Sequence, residues 1–386
     1  MIHKFKFLPY LILFFYFNSC IDPVSPEFEF IEDLVFIEGF ASTKEKGSYV
    51  SVQKSKLEYG IYETEPIKGC SVKFINSNTN LSISLFESGD FYYPPLEFKV
   101  SPGETWEVEV KLTDGTIYRS IPETSPNSVP IKSINAKFKT ELEVVKDDKN
   151  NNKIIPGHGV LLSFDDPEEI ENFYLFRYKL FEKELTCKVC YGTVLRNGKC
   201  IEPEGVPFYF RFEYFTYGCD SECWKITYND EITIFSDKFT NGLNINSYEI
   251  GTIPLYSYQN LLVEVQQLSI TPSAFKYFKT LKDITDNTTS LNSPLPAALI
   301  GNVFNSANSD EFVLGRFTVV GESNVEVFID RFEYSKQVVS GAGYVRLYPE
   351  VYGMPLPGPL TYFAPCIETR NSTAIKPEAW LNNLND

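Results

Sequence analysis

Histidine is nearly absent from this chain of 386 residues, which holds two, His3 and His158. Imidazole is the commonest metal ligand and the usual general base near neutral pH, so its scarcity removes most zinc and triad chemistry before any motif is sought. Basic residues are outnumbered, 35 against 51 acidic, and the net charge of −16 is relieved by no segregated basic patch. A phosphate backbone is repelled by such a surface, and nucleic acid is not an expected partner. No apolar run reaches the roughly 20 residues of a membrane-spanning helix. Glycine-rich phosphate cradles, nucleophile elbows and metalloprotease helix motifs are also missing, so no cofactor, no metal and no catalytic residue is expected.

Aromatic residues are abundant. With only 2 Met and 3 Trp, the aromatic content rests on 32 Phe and 24 Tyr, set among 24 Pro and 22 Gly. These residues suit a half-buried pleated surface better than a helical stripe, so the chain is expected to be mainly β, with apolar material for about two or three domains.

The amino terminus reads as an address. Lys4 and Lys6 precede Phe7 to Phe17, a run that is apolar apart from Pro9. As a helix it reaches about 16 Å, roughly half of a hydrocarbon core, so residues 1–19 are read as a signal peptide and not as a span. The run ends in Phe17-Asn18-Ser19-Cys20, which resembles the lipobox at which bacterial lipoproteins are cleaved and acylated. Cys20 is therefore the expected lipidation site. Residues 20–32 carry Pro23 and Pro26 without a periodic pattern, as a tether does.

Two β-rich parts are expected after the tether. Residues 33–125 show short, turn-punctuated strands, the pattern of an immunoglobulin-like β-sandwich. In Thr105 to Leu112 the residues Trp106, Val108, Val110 and Leu112 alternate with polar neighbours, so Trp106 is read as a core residue before it is read as a ligand platform. Asp114-Gly115 then signals a type I′ hairpin. Residues 126–386 form a larger, sandwich-like β-rich part with strands expected at Gly159 to Phe164, Asn172 to Phe181, Glu231 to Phe235, Leu261 to Gln267, Phe312 to Val320 and Val325 to Ile329. One packed helix is expected, capped by Thr271, begun by Pro272 and facing inward through Phe275, Phe278 and Leu281. The segment after Val338 is irregular.

Cysteine accounting places a disulfide-bearing insert at residues 187–223. Cys187, Cys190, Cys200, Cys219 and Cys223 crowd there, with Cys70 and Cys366 outside, so an odd number remains once Cys20 is acylated. Such spacing would suit zinc in a reducing compartment, but export favours disulfides, each worth about 2–4 kcal/mol to a segment with little core. The candidates for pairing are the five insert cysteines and Cys366; Cys70, beside Val72 and Phe74, reads as a buried thiol.

Other candidates are weak. Asp148-Lys149-Asn150-Asn151-Asn152 begins like a calcium loop but lacks its glycine and final acid, and reads as a hairpin tip. His158 lies between Gly157 and Gly159 and reads as a loop bystander. Asp165-Asp166-Pro167-Glu168-Glu169 reads as a strand-end turn, since successive strand residues face apart. Seven aromatics between Phe208 and Tyr217 exceed what one buried strand face needs, which marks Tyr209, Phe210 and Phe215 as candidate partner-binding residues.

The order of several short pieces resembles the Bacteroidota outer-membrane lipoprotein family called domain of unknown function 4249. They are Ser19-Cys20-Ile21-Asp22-Pro23, Gly69-Cys70-Ser71-Val72, Ser88-Gly89-Asp90-Phe91-Tyr92, Gly115-Thr116-Ile117-Tyr118-Arg119-Ser120, Val263-Glu264-Val265-Gln266-Gln267-Leu268-Ser269, Gly301-Asn302-Val303, Val313-Leu314-Gly315-Arg316-Phe317 and Pro377-Glu378-Ala379-Trp380. Cys366 also fits, with Thr369 where the family carries a second cysteine. The resemblance implies a lipid-anchored, non-enzymatic accessory or ligand-binding subunit at the outer membrane, partnered by a TonB-dependent receptor in nutrient uptake; the cell surface is the expected side, with the periplasmic face as the alternative. A surface-adhesion or outer-membrane assembly lipoprotein and a glycan-acting hydrolase are the alternatives.

Overall fold

The computed structural model describes residues 33–59, 61–146, 150–184, 222–256, 259–287, 299–337 and 366–383, with four short strands between residues 189 and 215. The chain opens with β1 (Val35–Ser42), β2 (Tyr49–Glu58), β3 (Ile61–Pro66), β4 (Ser71–Asn76), β5 (Ser82–Ser84), β6 (Phe86–Ser88) and β7 (Phe91–Tyr93). Next come β8 (Thr105–Lys111), β9 (Ile117–Ser120), β10 (Glu123–Thr124), β11 (Ile131–Lys146), β12 (Asn152–Asp165) and β13 (Phe173–Lys183). The insert contributes β14 (Val189–Cys190), β15 (Val194–Arg196), β16 (Lys199–Ile201) and β17 (Tyr214–Phe215). The remainder is β18 (Trp224–Tyr228), β19 (Thr233–Ser236), β20 (Asn244–Pro254), β21 (Leu261–Ile270), α1 (Pro272–Asn287), β22 (Val303–Asn305), β23 (Phe317–Ile329), β24 (Ser372–Thr373) and α2 (Glu378–Asn383).

The molecule is mainly β, and one long sheet organises it. Eleven strands run in the order β24-β18-β13-β21-β23-β1-β2-β7-β6, with β19 also on β13 and β3 also on β2. A six-stranded sheet, β22-β9-β8-β4-β5 with β10 on β8, packs over its amino-terminal half, and a three-stranded sheet, β11-β12-β20, packs over the other half. Strand β8 shows why the first pair closes: Trp106, Val108 and Val110 point into a core shared with Ile37, Val50, Val52 and Phe74. Full burial of each such side chain stabilises by about 1.5–3 kcal/mol. Trp106 is a core residue, edge-on to Phe98 at 5.4 Å, with its indole N–H donated to Glu104. The following hairpin turns with Gly115 alone at positive φ, so it is not the type I′ turn expected, which needs two left-handed residues.

The expected boundary at residue 125 does not divide the hydrogen bonding. Strand β23 enters parallel to β1, Gly39 opposite Phe317, then continues antiparallel to β21 from Gly321 opposite Ser269 to Ile329 opposite Leu261. The first core takes Val303, Val313, Phe317 and Val319 from beyond residue 300, and β22 pairs with β9. The parts are locked further by a buried ion pair between Arg316 and Glu123, whose carboxylate also accepts the Thr271 hydroxyl at 2.5 Å and the Val319 amide at 3.0 Å. A single strand, Phe317–Ile329, therefore replaces the two expected on either side of Gly321. That glycine is no break. A Cβ there would lie 2.7 Å from the Asn127 backbone, which crosses the strand at this point.

Helix α1 forms where expected. Thr271 caps it through the Ala274 amide at 3.2 Å, and its stripe covers Phe40, Leu268 and Ile270. Ala274 and Phe278 carry the burial, whereas Phe275 is only half-buried, so the inward face is centred one residue earlier than Phe275, Phe278 and Leu281 implied. Trp224, Trp380 and Phe328 stack edge to face, which seats α2 on the sheet.

Candidate functional site

Strand β13 has two different faces. Tyr174, Phe176 and Tyr178 point into the second core, while Leu175, Arg177 and Lys179 point the other way. Strand β21 does the same, sending Val263 and Val265 inward and Glu264 and Gln266 outward. The outward residues form a polar ladder: Lys179 pairs with Glu264 at 2.9 Å, Gln266 donates to Glu322 at 3.1 Å and Asn324 donates to Glu264 at 3.3 Å. At its end this face opens into a cleft of about 330 Å³.

Aromatic rings and two guanidinium groups wall the cleft. Arg177 lies with its Cζ 3.9 Å from the centre of the Phe40 ring and donates to the Tyr49 hydroxyl at 3.0 Å, with Glu38 3.8 Å away. Burial pushes the Tyr49 hydroxyl above its ordinary range, against the pull of Arg177, so it stays protonated and polar at neutral pH. On the opposite wall, the Arg370 Cζ sits 4.6 Å from the Phe91 centroid and 4.4 Å from that of Tyr228. Phe91, Tyr93 and Arg370 also line a second hollow of about 650 Å³, bounded by Gln53, Asp90 and Glu368. The two spaces share one wall.

Arg370 reaches this place on a strap. Cys366 is bonded to Cys223, which precedes β18, and β24 pairs with β18 through Thr373 opposite Trp224. Tyr228 donates its hydroxyl to the Arg370 carbonyl at 3.2 Å. The segment from Cys366 to Thr373 is thus a loop whose two ends are both fastened at the start of β18, to Cys223 and Trp224, and which carries Arg370 to the cleft. Flat ring faces, guanidinium groups and a carboxamide suit the binding of a partly polar ligand. Among the described residues that line the smaller space, none is Ser, Thr, Cys or His.

Two carboxylates meet elsewhere. Asp166, between β12 and β13, and Asp237, just after β19, are both buried; Asp166 accepts the Tyr174 hydroxyl and the Gly242 amide, and Asp237 accepts the Asn172 amide at 2.8 Å. Burial pushes the Asp166 carboxyl up, with a smaller push from Asp237. These groups line neither space and lock two loops together. Asp165, by contrast, is exposed and pairs with Lys132. No group of three or more His, Cys, Asp and Glu side chains is placed to hold a metal ion among the described residues.

The residues singled out by sequence fare unevenly. Cys20, Cys187, Cys219, Tyr209 and Phe210 lie outside the described residues. Cys190, Cys200 and Phe215 are placed by backbone only, in strands whose pairs include Val189 with Phe215 and Leu195 with Cys200. Cys223 takes a partner outside the insert, Cys366, at a sequence separation of 143. Cys70 is a free thiol, and burial pushes it up. His158 is not in a loop: it lies inside β12, opposite Ile253 and Phe138. Its flanking glycines mark close approach, since a Cβ at Gly157 would lie 2.5 Å from the Ile253 carbonyl oxygen and one at Gly159 would lie 2.6 Å from Glu249. Arg177 and Arg370 were not foreseen. Charge at alternate positions of β13 signals the first; no local feature of the sequence signals the second.

The fold and site define a mainly β protein in which one long sheet carries sandwich-like layers, with a half-polar cleft under a disulfide-pinned strap. The chain belongs to the family described as domain of unknown function (DUF4249), whose model matches residues 21–325. No curated protein matches the sequence. Most of the cleft wall lies inside the matched range, whereas Cys366 and Arg370 lie beyond it.

Proposed function

We propose that this chain is a lipid-anchored, non-enzymatic ligand-binding or accessory subunit of an outer-membrane complex, working beside a TonB-dependent receptor in nutrient uptake. The observation that carries the ligand-binding part is the cleft between β13 and the strap, with Arg177 and Arg370 held against aromatic rings. The Cys223–Cys366 bond accords with an exported chain, because disulfides persist in oxidising compartments. The family resemblance and the lipobox-like Phe17-Asn18-Ser19-Cys20 support the anchor and the receptor. Replacement of Cys20→Ala is the test of the anchor: the variant is expected to take up no fatty-acid analogue and to leave the membrane pellet. Labelling that persists at wild-type level contradicts the reading.

A further inference from the structure

Between β2 and β3 lie only Tyr59 and Gly60, so a tyrosine takes the place before the glycine that Asn or Asp ordinarily fills in a two-residue hairpin turn. Tyr59 is 96% exposed at a positive φ of 51°, flanked by Leu57 at 41% and Ile61 at 60%. Single exposed apolar residues occur elsewhere on the surface and need no explanation. The register places Leu57 on one face of this hairpin and Ile61, opposite Glu58, on the other, so the tip is an apolar prow with one such side chain on each face and Tyr59 between them.

Immediately behind it is a collar of charge. Lys54 pairs with Asp33 at 3.0 Å and with Glu65 at 3.1 Å, and Lys56 pairs with Glu58 at 2.6 Å. An apolar tip carrying a tyrosine above mixed charges is the pattern by which a protein enters the lipid–water boundary without crossing it. The acidic members outnumber the lysines, which disfavours a strongly anionic surface.

The way the chain enters the sheet places this tip. Strand β1 is antiparallel to β2 with Val35 opposite Lys54, and the Asp33 amide bonds the Ser55 carbonyl at 3.1 Å. Traced backwards, the backbone at Asp33 runs toward the tip. Ser55 and Tyr59 are four residues apart, or about 13 Å along the strand. The segment 20–32 upstream can span up to roughly 45 Å. An acyl chain on Cys20 therefore reaches the level of Tyr59 with slack to spare.

We propose that the β2–β3 tip docks into the lipid surface beside the acylated Cys20, as a second, non-covalent contact. This rests on the lipoprotein reading above. A lipid on a flexible tether holds the chain at the membrane without fixing how it lies, and a second contact fixes its orientation. Tyr49, at the other end of β2, then stands roughly 30 Å farther from the membrane, so the cleft faces away from the lipid.

The test uses Tyr59→Trp in the full chain, reconstituted in phosphatidylcholine vesicles with and without brominated acyl chains. The native Trp106, Trp224 and Trp380 are all buried, so a change in emission reports position 59. A blue shift on vesicles together with quenching by the brominated lipid is the expected result, and Leu57→Ser with Ile61→Ser should remove both. Acylated protein whose reporter stays red and unquenched overturns the docking proposal while leaving the anchor intact. Protein that carries no acyl group sinks the anchor reading, and the same vesicle measurement on it still decides whether the tip binds lipid. A blue shift that appears only with a co-purified protein, without lipid quenching, assigns the tip to a protein partner and also overturns the proposal.

Discussion

At His158 the ring is 1% exposed, edge-on to Phe138 at 5.4 Å and to Tyr334 at 5.2 Å, and neither nitrogen has a hydrogen-bond partner. Burial, aided by the nearby Arg331 charge, pushes its pKa down to about 4. Between the ordinary value of 6.5 and about 4 the unfolded chain therefore binds a proton that the folded chain refuses. The associated stability is fully present above pH 6.5 and is lost as the pH falls toward 4. Asp166 acts in the opposite sense, since its raised carboxyl keeps its proton in the folded state at pH values where the unfolded chain has released it. Only a difference between variants isolates the histidine. His158→Leu, which removes the titrating ring and its two unpartnered nitrogens, is expected to match or exceed the wild type above pH 6.5. Its advantage should grow by about 3 kcal/mol toward pH 4 in thermal melts. Parallel curves across that range would show that the ring is not held neutral.

At the level of elements, the strap from Cys366 to Thr373 bears most directly on the site. Its two anchors are the bond to Cys223 and the short pairing of β24 with β18. Cys366→Ser is expected to lower stability by about 2–4 kcal/mol in urea unfolding. It should also free the Arg370 guanidinium from Phe91 and Tyr228, visible as faster amide exchange between residues 367 and 373. Unchanged exchange there would mean that β24 holds the strap by itself. The strap also shows where sequence reasoning stops, because nothing near Arg370 announces that it lies against rings from β7 and β18. Strands with clean alternation, such as β8, were legible, and so was α1 through Thr271 and Pro272. Strand β11 was missed because register shifts between Ile131 and Ser133 and between Lys139 and Glu143 break its periodicity. Strand β20 was missed for a similar reason, with Ser247 at a positive φ and two shifts of its own. The glycines flanking His158 look like loop signals, although Gly157 marks a close approach to the β20 backbone and Gly159 makes room for the Glu249 and Lys139 side chains.

The whole molecule is held together by β23, which joins β1 on one half to β21 on the other and leaves the polar ladder facing the cleft. Because this spine passes through both halves, the β13 wall of the cleft is continuous through one sheet with β1, before which Asp33 is bonded to Ser55. That continuity suits a subunit that must present one surface while its other end is anchored. We propose that such a subunit works beside a receptor. The most direct test is affinity purification of the tagged, acylated chain from detergent-solubilised membranes, with mass spectrometry of the proteins that accompany it. A TonB-dependent receptor recovered in near-stoichiometric amount is the predicted result. A folded, acylated chain that brings down no such receptor would contradict it.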